Sequence, residues 1–301
     1  MTSNIDTITF EKWITMWREI YKKPFVQENT LRLTYDIPIN KYLKPHFGTK
    51  KLTEIKPIHV QHFFTLHLHL SQSVLDKLHM ILYSSFCAAI DNDYCEKNPV
   101  SFIRYKSNRS KNLKQVYTVD EIDLVKKFAY HNIPEVFFIL ETGLRRGEIC
   151  GLKWDDIDFE RKSVSVSRSI ADQYGGGVKV MPPKWNSYRE LPLSPSAITF
   201  LEEKYIINKE RGFVFPNNKG SVQSPSALSQ RLKRQMKYMA KNLNCKALTA
   251  HELRHTFGTD LRRSGKDIYT IQRMMGHKDI NVTSEIYVHN EFDELKKVMG
   301  Y

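Results

Sequence analysis

The chain has 301 residues, enough for two domains, with 41% hydrophobic and 26% charged side chains. No apolar run approaches the roughly 20 residues of a membrane-spanning helix, which argues against a helical membrane protein. The N-terminus MTSNIDTITFEKW shows no signal-peptide pattern, and Cys87, Cys95, Cys150 and Cys245, with no C-x-x-C pair, read as buried thiols in a reducing cytoplasm rather than as a disulfide frame or a zinc site. The net charge of +13 is uneven: residues 1–100 hold 12 Lys+Arg against 10 Asp+Glu, and residues 101–301 hold 34 against 23, a surplus that suits a polyanion such as nucleic acid.

Residues 1–105 read as a helical bundle. Thr9 is placed to cap a helix from Phe10 to Tyr21 with Trp13, Met16, Trp17 and Ile20 on one stripe. Gln27 to Leu43 repeats the pattern through Leu31, Tyr35 and Ile39, with Pro38 expected to kink or break it. Ile58 to Leu70 and Ser73 to Asp91 follow; the second carries Val74, Leu78, Ile81, Leu82 and Phe86 at helical spacing. His59, His62, His67 and His69 have no carboxylates or thiols at ligand spacing, so no metal site is expected.

Lys97 to Val116 contains Arg104, Lys106, Arg109 and Lys111 among its cations and no acid. It reads as a solvated linker; the basic linker between the domains is placed at residues 106–117, with the boundary near residue 110. Such a linker either follows a phosphate backbone or is only a tether. Thr118 to Glu121 then resembles a capping box opening the second domain, residues 118–301.

That domain reads as mixed α/β. Ser163 to Ser167 alternates with period two, Asp172 to Gly177 is a turn, and Val178 to Pro182 with Arg189 to Leu193 completes an expected three-stranded antiparallel sheet. Helices resume at Ser196 to Asn208 and Ser226 to Leu243, the latter carrying Arg231, Arg234 and Lys237 without an acid and suited to lying along a groove. The Gly258 to Lys266 stretch has the wrong spacing for a P-loop, and Asp267 replaces its Ser/Thr.

Chemistry-bearing residues collect in this domain. Arg145 and Arg146 sit where Thr142-Gly143 would start or break a helix, so one of the two can face an anion, and Glu148 either orients that guanidinium or forms a structural ion pair. His251 and Arg254 share a face of a helix starting near Thr249, whereas Glu252 and His255 are assigned to other faces with structural roles. His277 and Tyr287 come later. Arginines to neutralise a phosphorane, imidazoles to handle protons and a phenol to attack phosphorus can together break and rejoin a phosphodiester without metal.

Thr142-Gly143-Leu144-Arg145-Arg146-Gly147-Glu148, followed by Leu152 to Asp158, resembles the first box of the tyrosine recombinases, the phage-integrase family. His251-Glu252-Leu253-Arg254-His255-Thr256-Phe257 resembles the second, and Met275-Gly276-His277 with Thr283 and Ile286-Tyr287-Val288-His289 the third. The resemblance implies a mainly α fold: a helical core-binding (SAM-like) domain and a catalytic domain with a small antiparallel sheet. It implies that Tyr287 is the nucleophile of a 3′-phosphotyrosyl bond. Arg145 and Arg254 then hold the scissile phosphate, His251 and His277 handle protons, and Glu148 supports them. A hairpin lysine protonates the leaving 5′-oxygen; Lys184 fits because Ser187 and Arg189 keep the family's spacing toward Leu191-Pro192-Leu193, although Trp185 departs from the usual threonine after it, and Lys179 is the rival. No cofactor is implied, because the phosphotyrosine ester conserves the energy of the broken bond.

The implied partners are double-stranded DNA core sites and a homotetramer assembled through an apolar C-terminal helix, residues 291–299, with an excisionase or a host DNA-bending factor as a possible helper. Helical character begins by residue 9, which leaves no arm-binding domain; the enzyme then uses simple core sites, or the chain is shortened. Integration or excision of a phage or conjugative element is the preferred role. The alternatives are Xer-type dimer resolution, DNA inversion, a binding protein without catalysis and a type IB topoisomerase. Such an enzyme belongs in the cytoplasm, at the nucleoid.

Overall fold

The Thr9 side chain accepts from the Lys12 amide and starts α1 (Phe10–Trp17), which continues in π-helical turns Arg18–Lys22. Its buried stripe is Phe10, Trp13, Ile14 and Trp17, the i, i+3, i+4, i+7 set. Met16 and Ile20, expected on that stripe, lie one position round it and are 39% and 58% exposed. The computed structural model describes residues 8–110 and 115–276, and the chain divides into two units, Met1–Asn112 and Leu113–Tyr301.

In the first unit, α2 (Glu28–Thr30) runs through wider turns at Leu31–Asp36 and Ile39–Leu43 into α3 (Lys44–Phe47). Pro38 keeps helical angles (φ −60, ψ −42), so it does not break the stretch. The Ile37 amide bonds the Arg32 carbonyl five residues back, and i→i+5 turns of this kind relieve a ladder that cannot use a proline nitrogen. α4 (Pro57–Leu66) and α5 (Gln72–Asp91) complete the bundle. Its core is aromatic, with Phe47 against Phe10 and Phe63 at 5.6 and 5.2 Å between ring centroids.

The stretch expected to be a solvated linker from Lys97 onward is anchored to this bundle as far as Asn108. Tyr105 stacks on Phe64 at 4.6 Å. Gln61 pairs with both backbone groups of Arg104, Gln72 accepts from the Ser107 amide, and Asn108 donates to the Leu68 carbonyl. Ile103, Tyr105 and Ser107 face inward while Arg104, Lys106 and Arg109 are exposed, the period-two pattern of an extended segment on a surface.

In the second unit, Thr118 and Glu121 form a reciprocal cap at the start of α6 (Val119–Asn132). α7 (Pro134–Thr142) is buried on nearly all sides, and α8 (Arg146–Gly151) follows it after the left-handed Gly143. The three-stranded antiparallel sheet has the order β1 (Ile157–Asp158), β2 (Ser163–Val166), β5 (Arg189–Pro192). Val178 to Pro182 was expected within that sheet. Instead β4 (Val178–Met181) pairs with β3 (Ser169–Asp172) in a separate hairpin, register Asp172↔Val178. The cause is the turn: Gly175, Gly176 and Gly177 all adopt positive φ and fold the chain directly back on itself. Arg168, held by Asp156 and the Gly151 carbonyl, marks the break between β2 and β3.

The remaining helices are α9 (Pro195–Asn208), α10 (Pro225–Leu243), α11 (Ala250–Arg263) and α12 (Ile268–Met275). Ser194, Ser224, Thr249 and Asp267 cap them. Asp172 accepts from the Ser226 amide at 3.0 Å and from both the Ser224 and Ser226 hydroxyls, which ties the hairpin to the N-terminus of α10. Among the described residues no helix is long and apolar enough to cross a membrane. Lys111, His277, Tyr287 and residues 291–299 lie outside the described residues.

Candidate active site

α7 ends because Gly143 turns left-handed (φ +64) directly beneath Phe257 of α11; a Cβ there would meet the Phe257 ring at 2.3 Å. This close approach brings the start of α8 against α11. Arg145 occupies the N-cap of α8, and Glu148, three residues on, reaches back to the Arg145 amide at 2.8 Å. The same carboxylate accepts from Arg145 Nη1 at 2.8 Å and from Arg189 Nη1 and Nη2 at 3.1 and 2.8 Å.

The Glu148 side chain is 1% exposed. Burial alone would raise its pKa, but the Arg189 hydrogen bond and charge, then the charges of Arg145 and Arg254, outweigh it and hold the pKa at about 2.

Three arginines also converge on the end of α12. Arg189 Nε donates to the Met274 carbonyl at 3.0 Å, Arg254 Nη2 to the Met275 carbonyl, and Arg145 Nη2 to the Gly276 carbonyl at 2.5 Å. Successive carbonyls of one helix end therefore each meet a different guanidinium, in the direction the helix dipole favours. Arg254 is 2% exposed and also donates to the Gly143 carbonyl at 2.5 Å. The pocket thus holds three guanidinium groups against one carboxylate, and His277 directly follows the Gly276 turn in sequence.

His251 lies in the first turn of α11 and is exposed. His255 is not on another face: its Nε2 lies 2.9 Å from His251 Nε2 and the rings are 4.2 Å apart. One turn of helix brings i and i+4 together, so the buried His255 backs His251. Glu252 is the N3 partner of the Thr249 cap. At the separation of the two histidines one Nε2 donates to the other, so the two rings are coupled through a single hydrogen bond.

Lys184 is exposed in the connection between β4 and β5, its Nζ 5.6 Å from the Trp185 ring centroid. Trp185 and Asn186 take positive φ (65 and 53), and the connection then delivers Ser187, whose hydroxyl accepts from Arg145 Nη1 at 3.2 Å. Lys179 is exposed within β4. A cleft of about 830 Å³ runs beside this connection, lined by Trp185, Tyr188, Arg189, Leu191, Arg273 and Met274 among others.

Arg104, Lys106 and Arg109 are exposed on the first unit, and Arg234 and Lys237 on α10. Arg231 is half-buried and bound to Glu135 and Gln223. Among the described residues no group of three His, Cys, Asp or Glu side chains is arranged to hold a metal. Sequence reasoning passed over Arg189, Ser187 and His255 as site residues. His255 was readable from its i+4 spacing; Arg189 was not, because β5 meets α8 only through tertiary packing.

The first unit matches the model of the phage integrase N-terminal SAM-like domain over residues 9–65. The tyrosine recombinase XerC-like protein of Caldanaerobacter subterraneus subsp. tengcongensis is 28% identical over 79% of this chain and 68% of its own. The transposase from transposon Tn916 of Enterococcus faecalis is 27% identical over 90% of this chain and 72% of its own. Among solved structures, the Tn1549 transposon integrase in complex with transposon right end DNA superposes with a TM-score of 0.82 at 23% identity, covering 97% of this chain and 99% of that one. The lambda integrase tetramer bound to a Holliday junction gives 0.72 at 18%, covering 93% and 80%. The phage integrase family model itself matches residues 109–294, spanning every box described above, and the chain belongs to that family of tyrosine site-specific recombinases.

Proposed function

We propose that this enzyme integrates or excises a mobile genetic element by cutting and rejoining DNA core sites through Tyr287. The phenolic oxygen attacks the scissile phosphorus, a 3′-phosphotyrosyl bond forms, and the bond to the 5′-oxygen breaks. Lys184 supplies the proton to that oxygen, leaving a 5′-hydroxyl. Attack by a second 5′-hydroxyl reverses the step on a new partner strand. Arg145 and Arg254 neutralise the phosphorane, while His251 and His277 exchange protons and hydrogen bonds with it.

The observation that carries the reading is the convergence of Arg145 and Arg254, from separate sequence boxes, on the single backbone turn Met275–Gly276 that leads into His277. Ser187 on Arg145 favours Lys184 over Lys179. The mobile-element role draws on the relatives named for transposons Tn916 and Tn1549, and a tetramer on DNA on the lambda integrase assembly. Residues 291–299 would then link neighbouring copies. Similarity to a XerC-like recombinase favours chromosome dimer resolution as a second reading.

The test is a pool of nicked duplexes with randomised cores, in which the released 5′-hydroxyl fragment is lost and covalent protein–DNA adducts accumulate. Wild-type protein is expected to form adducts and Tyr287→Phe none. Absence of adduct across the pool overturns the reading. Selected cores that match the ends of an element beside the gene support integration and excision, whereas a match to one chromosomal locus supports dimer resolution.

A further inference from the structure

Arg189 donates four hydrogen bonds inside the protein: a fork onto both Glu148 oxygens, one to the Met274 carbonyl and one to the Ser187 carbonyl at 3.2 Å. Its side chain is 8% exposed. Gly276 packs directly on it, since a Cβ there would lie 3.0 Å from Nη1 and 3.2 Å from Cζ.

Arg145 bonds Glu148, the Ser187 hydroxyl and the Gly276 carbonyl. Arg189 touches the same three residues. We propose that Arg189 is a positioning residue for strand cleavage, fixing Glu148 and thereby Arg145 while pinning the Met274–Gly276 turn that leads to His277. The proposal rests on the reading that Arg145 holds the scissile phosphate and His277 exchanges protons and hydrogen bonds with it.

Charge alone does not account for this geometry. A lysine offers one compact point charge and cannot reach both carboxylate oxygens and a helix-end carbonyl at once. Without Arg189, Glu148 keeps its burial but loses its bidentate partner, and the end of α12 loses one of three guanidinium anchors. A shift of about 1 Å in a phosphate-holding group costs on the order of 10²-fold in rate.

The experiment uses a nicked duplex recovered from the pool above and measures single-turnover adduct formation, duplex affinity and melting temperature together. Arg189→Ala is expected to cleave about 10²-fold more slowly with duplex affinity retained. Arg189→Lys should fall between Arg189→Ala and wild type, and low-millimolar guanidinium should partly restore Arg189→Ala while leaving wild type unchanged. Should Arg189→Ala not fold, the double variant Glu148→Met with Arg189→Met replaces the buried pair by apolar side chains of similar length. Slow cleavage by that folded protein supports the proposal. Wild-type rates in either folded variant, or a loss that only tracks the unfolded fraction, overturn it. Absence of adduct with wild-type protein defeats the underlying reading instead, and the Arg189 assignment with it.

Discussion

Two cationic regions of the second unit meet at Ser187, and they are built in opposite ways. Arg145, Arg189 and Arg254 lie in one lattice, each on its own helix-end carbonyl, with the buried Glu148 carboxylate joining Arg145 to Arg189. Lys184 stands exposed in a connection shaped by two left-handed residues. The contrast follows from the chemistry proposed for each. Phosphate stabilisation gains from donors already aligned before charge develops; a proton donor must reach a departing oxygen and can be carried on a surface connection.

The largest effect that sharpens this contrast is on Lys184. Lys184→Ala should slow cleavage by about 10²–10⁴-fold, the range for loss of a general acid, whereas Lys179→Ala should not. A duplex with sulfur in place of the bridging 5′-oxygen has a leaving group that needs no proton, and it should restore Lys184→Ala to near wild-type rates in the adduct assay. If sulfur fails to restore the variant, Lys184 is not the acid.

Arg254→Ala should cost about 10²–10³-fold, and sulfur should not restore it, because the missing charge acts on the non-bridging oxygens. It also leaves the Gly143 and Met275 carbonyls without their guanidinium, so melting temperature should fall as well. Rescue by sulfur in both variants would erase the proposed difference between the two regions.

Glu148 tests the buried side of the comparison through stability. Glu148→Gln removes the counter-charge from Arg189 and Arg145, and urea unfolding should show a loss of about 3–5 kcal/mol, as for one broken partner of a buried pair. In the wild type, the folded state holds this carboxylate at about 2 against an ordinary 4.5. The unfolded chain therefore takes up the proton first as pH falls. The contribution, about 3 kcal/mol at 1.36 kcal/mol per pKa unit, is complete above pH 4.5 and disappears toward pH 2. The Glu148→Gln variant should show a shallower acid decline; an equally steep one means that Glu148 is not the group responsible.

How legible these regions were depended on the range of the interactions that build them. Helix caps at Thr9, Thr118 and Thr249 are local, and the sequence marks each one within four residues. The glycine-rich turn was equally plain, but its consequence was not: three consecutive positive-φ residues fold β4 onto β3 and leave β2 to pair with β5. Around Arg104 a basic composition masked an alternation that was present, with Ile103, Tyr105 and Ser107 turned inward. Arg145 and Arg254 were found through their boxes, while Arg189 entered only as part of the spacing that supports Lys184, with no role of its own. Its partner Glu148 and its carbonyl at Met274 lie on elements that only the folded unit brings together.

The smallest expected effect separates cations that look alike in the sequence. Arg231, Arg234 and Lys237 share α10, but Arg231 is bound to Glu135 and Gln223 while the other two are exposed. A side chain contacting a DNA phosphate releases counterions, so its loss lowers the slope of log affinity against log salt by about 1 without changing sequence preference. Arg234→Ala and Lys237→Ala should each do this, as should alanine at Arg104, Lys106 or Arg109 on the first unit. Arg231→Ala should leave the slope in place and lower the melting temperature instead, because Glu135 is buried and would lose its counter-charge. A reduced salt slope in Arg231→Ala with unchanged melting would mean that the ion pair opens on DNA and that this arginine contacts phosphate after all.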